Sequence, residues 1–97
     1  MFARLSIYEI PQDRRAEAQA NFERAIARIR ETEGLTNAQF LLGCESDRAV
    51  TITFWETLEA MAASRVVASR LRSEAAASVG GDVLSVEEFE VVPEERP

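Results

Sequence analysis

Apolar and polar positions alternate from Phe2 to Ile10, with Ala3, Leu5 and Ile7 on one side and Phe2, Arg4, Ser6 and Tyr8 on the other. That period of two is the pattern of a half-buried strand, and Pro11 ends it. Asp13 is suited to cap the following helix and Glu17 to complement its dipole. Ala18, Phe22, Ala25, Ile26 and Ile29 then recur at spacings of three and four, while Glu17, Arg24, Arg28 and Glu31 fill the opposite side, which predicts an amphipathic helix. Gly34 supplies the left-handed residue that stops it. Leu35 to Cys44 and Ala49 to Trp55 read as two strands joined by ESDR, a polar stretch of hairpin length. In the second strand Val50, Ile52 and Phe54 share one face, and Thr51, Thr53 and Trp55 the other.

A second helix begins from Thr57, where Leu58, Met61 and Ala62 form a short apolar stripe. The stripe then changes phase, because at about 100° per residue Val67 and Leu71 point away from Leu58, and this predicts a break near Ser64 and Arg65. VGG closes the helical region, and Asp82 to Val92 is a last strand whose alternation slips around Glu87 and Glu88, where a bulge is expected. Residues 1–92 form one domain in this reading, and residues 93–97 a frayed tail.

The order β-α-β-β-α-β is the ferredoxin-like α+β arrangement, a four-stranded antiparallel sheet carrying its helices on one face. The other face is expected to hold Phe2, Tyr8 and Trp55 or its neighbours, with strand residues from Phe40 or Leu41. So much apolar surface on an uncovered sheet predicts a homodimer in which two sheets meet face to face.

Composition narrows the chemistry. A chain of 97 residues with 46% apolar and 29% charged residues is ordinary for one globular domain. A net charge of −6 works against nucleic acid and against an anionic membrane surface, both of which need basic patches. All 11 basic residues are arginine, which excludes lysine nucleophiles and Schiff-base chemistry, and with the many alanines points to GC-rich bacterial coding. The chain has no histidine and a single cysteine, Cys44, so neither a histidine-bearing metal site nor an intramolecular disulfide can form. Cys44 reads as a small core or strand-end residue rather than a reactive thiol. No apolar run reaches membrane-spanning length and the first residues lack a signal-peptide pattern, so a cytoplasmic location is expected.

The stretch ETEGLTNAQFLLGCESDRAVTITFWETLEAMAAS resembles the antibiotic biosynthesis monooxygenase family of dimeric α+β barrel proteins. The shared signature is a helix ending near an acidic residue and glycine, two strands, and a tryptophan that closes the third strand as W-E-(S/T)-x-E-A. Here these are Trp55, Glu56, Thr57, Glu59 and Ala60. The resemblance implies a pocket between sheet and helices with Trp55 as a wall and Phe22, Ile26, Leu58 and Met61 around it. The alternative is that Trp55 staples strand to helix through its buried area and meets no ligand. It also implies a cofactor-independent monooxygenase acting on a small aromatic, phenol- or hydroquinone-like molecule, whose anion reduces oxygen in a dry pocket.

The departures from that pattern bear on activity. Haem-degrading relatives carry an asparagine where Ala3 stands and an iron-binding histidine where Arg65 stands, and a guanidinium has no lone pair for iron. Ligation by Tyr8 would need a different geometry. No cofactor and no metal is therefore expected. Quinone-forming relatives place an asparagine four residues before the tryptophan, where Thr51 offers a single hydroxyl donor instead. Arg65 is the candidate for stabilising the substrate anion, or else an arginine whose stem covers core while its head reaches water. Tyr8 could assist through its hydroxyl, or lie in the dimer interface. The competing function is a non-catalytic dimeric module that binds a hydrophobic small molecule or a protein partner, since no histidine is available as a general base near neutral pH.

Overall fold

A computed structural model describes residues 1–93. Most of the tail expected over 93–97 lies outside those residues. Four strands, β1 (Phe2–Glu9), β2 (Leu35–Leu42), β3 (Arg48–Trp55) and β4 (Asp82–Glu90), form one antiparallel sheet in the order β2-β3-β1-β4. Three α-helices, α1 (Arg15–Ile29), α2 (Leu58–Ala63) and α3 (Arg65–Ala77), complete the ferredoxin-like α+β fold. Among the described residues no helix is long and apolar enough to cross a membrane.

Local chemistry explains most boundaries. A single 3₁₀ turn over Gln12–Arg14 precedes α1, which starts at Arg15 with no side-chain cap, so Asp13 does not cap it as expected. Pro11 sets this geometry: its fixed φ and missing N–H start a tight turn before the α-helix can begin. Thr57 does cap α2, accepting a hydrogen bond from the Ala60 backbone N–H. The chain breaks at Ser64, between α2 and α3, where the apolar stripe changes phase. Gly34 has φ 86°, and a Cβ there would stand 2.5 Å from the Ala60 side chain, so the turn after α1 packs against α2 only because this residue is glycine.

The helices lie on the face formed by Arg4, Ser6, Tyr8, Thr51, Thr53 and Trp55. This reverses the expected placement of Tyr8 and Trp55, which are 1% and 0% exposed under the helices. A strand of period two has two equivalent faces, and only docking of α1 and α3 decides between them. The face without helices instead carries Ala3, Leu5 and Ile7 from β1, opposite Phe54, Ile52 and Val50 from β3. Phe89 of β4 and Leu41 of β2 extend it, each 45% exposed. The bulge in β4 also falls elsewhere than expected: Ile7 pairs with Ser85 and Tyr8 with Val83, so Leu84 is the extra residue. Alternation through Glu87 and Glu88 is regular, which turns Glu88 toward the helices.

Under the helices the core has two halves. One gathers Tyr8, Ile10, Ala18, Phe22, Ala49, Ala76 and Val79. The other gathers Ile29, Trp55, Met61, Ala68 and Leu71. In the first, Phe22 stacks on Phe40 at 4.6 Å and meets Tyr8 edge-on at 4.7 Å.

Candidate functional site

Between these two halves lies a cavity of about 50 Å³. Its floor is the sheet, through Arg4, Ser6 and Tyr8 of β1 and Thr51 and Thr53 of β3; its walls are Phe22, Ala25, Ile26 and Ile29 of α1 and Ala68, Leu71 and Arg72 of α3. The floor is polar and the walls are apolar except for Arg72. Two hydroxyls face each other on it, with Tyr8 Oη 2.8 Å from Thr51 Oγ1. Burial pushes the Tyr8 phenol above its ordinary pKa, so it stays protonated and available as a donor.

Two arginines differ in how they are held. Arg4 is 4% exposed and fully engaged. It donates from Nη1 to Ser64 Oγ at 3.1 Å, and from Nη2 to the Met61 carbonyl at 2.9 Å and to Glu88 Oε2 at 2.9 Å. A charge this deep is tolerated because Glu88 and these acceptors satisfy it. Arg72 is half-buried, and among the described residues its side chain has no hydrogen-bond or ion-pair partner. Desolvation by burial lowers its pKa.

Of the residues singled out in the sequence, the structure brings Tyr8, Thr51, Phe22 and Ile26 together around this cavity. Trp55 and Met61 lie in the neighbouring core rather than on the lining. Trp55 is wholly buried, its indole N–H donating to Thr53 Oγ1 at 3.0 Å. Leu58 is 49% exposed at the start of α2 and does not reach the cavity. Arg65 is at the surface, where its Nη2 and Nε hold Glu88 at 2.6 and 3.1 Å. Its head reaches water, as in the second of the two readings for that residue. Cys44 is exposed.

Three residues on or beside the site escaped the sequence reading: Arg4, Glu88 and Arg72. Arg4 and Glu88 could have been found as charges at inward positions of two neighbouring strands, had the inward face of β1 been assigned correctly. Arg72 had a weaker signal, standing four residues after Ala68 on the α3 face that also carries Ala75 and Ala76. The cavity residues do not fit haem. They offer no imidazole and no thiolate, and burial holds the Tyr8 phenol protonated, so it is no phenolate ligand.

No family model matches the sequence, and no curated protein sequence matches it. Solved structures do. A candidate antibiotic biosynthesis monooxygenase from Deinococcus radiodurans superposes with a TM-score of 0.82 at 11% identity, over 100% of this chain and 98% of that one. SnoaB, a cofactor-independent oxygenase from Streptomyces nogalater, gives 0.78 at 14% identity, covering 96% and 94% of the two chains. MhuD, a haem-degrader from Mycobacterium tuberculosis whose structure holds two haems, gives 0.72 at 22% identity over 99% and 100%. The chain has the fold of the antibiotic biosynthesis monooxygenases.

Proposed function

We propose that the chain is a monooxygenase that needs no cofactor and oxidises a small phenol- or hydroquinone-like molecule. The observation that carries this reading is Arg72, a partly desolvated guanidinium facing an apolar-walled cavity with the Tyr8 and Thr51 hydroxyls on its floor. A phenolate oxygen is the complement of that arrangement: Arg72 supplies charge and a hydroxyl supplies a hydrogen bond, in surroundings that water screens poorly. Loss of the phenolic proton makes the ring electron-rich enough to reduce oxygen. A carbon–oxygen bond forms at the ring carbon, and loss of water leaves a quinone, so that one phenol and one O₂ give one quinone and one H₂O. SnoaB, with the same fold, is a cofactor-independent oxygenase.

The cavity, partly open to solvent, has a volume of about 50 Å³ and holds a few water molecules, not a ring. Binding therefore has to move the stem of Arg72 or part α1 from α3. Oxygen uptake with a panel of hydroquinones and anthrones in metal-free buffer tests the reading. Consumption that follows the phenol is expected; a flat trace across the panel overturns it and favours the non-catalytic binding module.

The working unit in this reading is a homodimer. Leu5, Ile7, Leu41, Ile52, Phe54 and Phe89 form an apolar sheet face on the side away from the helices, and a second copy presents the same face to cover it.

A further inference from the structure

We propose that Glu88 sets the charge of the cavity: by compensating the buried Arg4 it leaves Arg72 as the one unbalanced cation on the lining among the described residues, which matches the site to a substrate carrying one negative charge. The inference rests on the phenolate reading above and assigns a residue outside the cavity lining to its specificity.

Among the described residues the charged and titratable groups around the cavity are few. β1 contributes Arg4 and Tyr8 and α3 contributes Arg72, with Glu88 of β4 behind Arg4 and Arg65 at the surface beyond Glu88; α1 and β3 line the cavity with apolar and hydroxyl side chains only. Glu88 touches both Arg4 and Arg65, but unequally. Its contact with Arg4, through Nε at 3.2 Å and Nη2 at 2.9 Å, joins it to a side chain only 4% exposed. Its contact with Arg65 joins it to one that is 57% exposed, where water already screens the charge. In the weakly polarisable interior the Arg4 pair is the one that counts. Arg4 and Arg72 line the same cavity, so the charge balance that Glu88 sets at Arg4 acts on the space Arg72 faces. Glu88 is a positioning residue as well, because the Arg4 it holds reaches Ser64 and the Met61 carbonyl, where α2 gives way to the helix that carries Arg72.

The test is a charge series read with 4-nitrophenol, which is yellow only as the anion. Its ionisation midpoint is followed by absorbance on the purified protein and on the Glu88→Gln, Arg4→Gln and doubly substituted variants. The wild type is expected to lower the midpoint of bound 4-nitrophenol. Glu88→Gln should lower it further, by about one pH unit, as one added interior charge does. Arg4→Gln should raise it above the wild-type value, and the double variant should return to wild type. If Glu88→Gln does not fold, the ordering of the other three proteins decides. A wild-type shift that the single substitutions leave unmoved, or a double variant that falls with Arg4→Gln, overturns the role of Glu88 while leaving the phenolate reading intact. A wild type that binds 4-nitrophenol without moving its midpoint overturns the phenolate reading itself.

Discussion

The guanidinium of Arg4 lies 5.7 Å from the centre of the Trp55 ring, so the indole is the platform on which the buried cation rests. Arg4 and Trp55 are far apart in sequence but sit on neighbouring strands β1 and β3. The pairing gives Trp55 a structural task that does not require a ligand.

Substituting Trp55 tests that task. Trp55→Ala is expected to cost about 3–5 kcal/mol, through the cavity it leaves and the platform it removes. Trp55→Phe keeps a ring under Arg4 and should cost clearly less. Urea unfolding followed by far-ultraviolet circular dichroism measures both, since the single tryptophan is no longer available as a probe in either variant.

Arg72 should behave in the opposite way. An unpaired, partly buried charge is a burden on stability, so Arg72→Gln is expected to leave the midpoint of unfolding unchanged or raise it, while reducing phenol-dependent oxygen uptake by about a hundredfold. A substitution that lowers stability and leaves uptake intact would make Arg72 part of the scaffold. The two measurements on one variant separate these roles.

Tyr8 predicts an alkaline limit. Burial raises its pKa in the folded chain, so the folded state holds the phenolic proton where the unfolded state has begun to lose it. The stability this gives is fully present below the unfolded value near 10 and is lost as pH climbs through the raised folded value. Tyr8→Phe should flatten that alkaline fall, and should cost about 1 kcal/mol at neutral pH because Thr51 loses its partner. Thermal melts from pH 7 to 11 compare the two proteins.

The sheet face away from the helices makes a prediction about assembly. Ile52 lies on it opposite Leu5, between Val50 and Phe54. Ile52→Glu places a charge within that face and, in the proposed homodimer, should yield a folded monomer, because the charge would be buried against the partner's apolar face. Sedimentation equilibrium of the wild type and the variant reads the result. A wild type that remains a single chain at all concentrations overturns the dimer.

Gly34 predicts a local effect. Gly34→Ala forces a Cβ into the Ala60 side chain at a left-handed backbone angle, and is expected to cost about 2 kcal/mol or more. Ala60→Gly in the same chain should recover the steric part of that loss and not the backbone part. Chemical unfolding of the three proteins resolves the two contributions.

Much of the fold was legible along the chain because it follows from local periodicity. The inward stripe of α1, the hairpin between β2 and β3, the break at Ser64 and the element order all come from side-chain spacing, and the structure agrees with each. The capping of α1 was not legible, since Pro11 imposed a turn that competes with a cap at Asp13. Four residues read as candidates, Tyr8, Thr51, Phe22 and Ile26, do surround one cavity. Arg65 does not, because the start of α3 points it at the surface and at Glu88.

What the chain determined by itself is the set of amphipathic elements and their order, since helical and strand periods are properties of neighbouring residues. What only the tertiary structure decided is which side of each strand the helices cover. That choice buried Tyr8 and Trp55, turned Arg4 and Glu88 toward one another across β1 and β4, and left Arg72 facing the gap between two core halves. The physical reason is that a strand's two faces are equivalent until something packs on one of them, and that a charge acquires its meaning from partners distant in sequence.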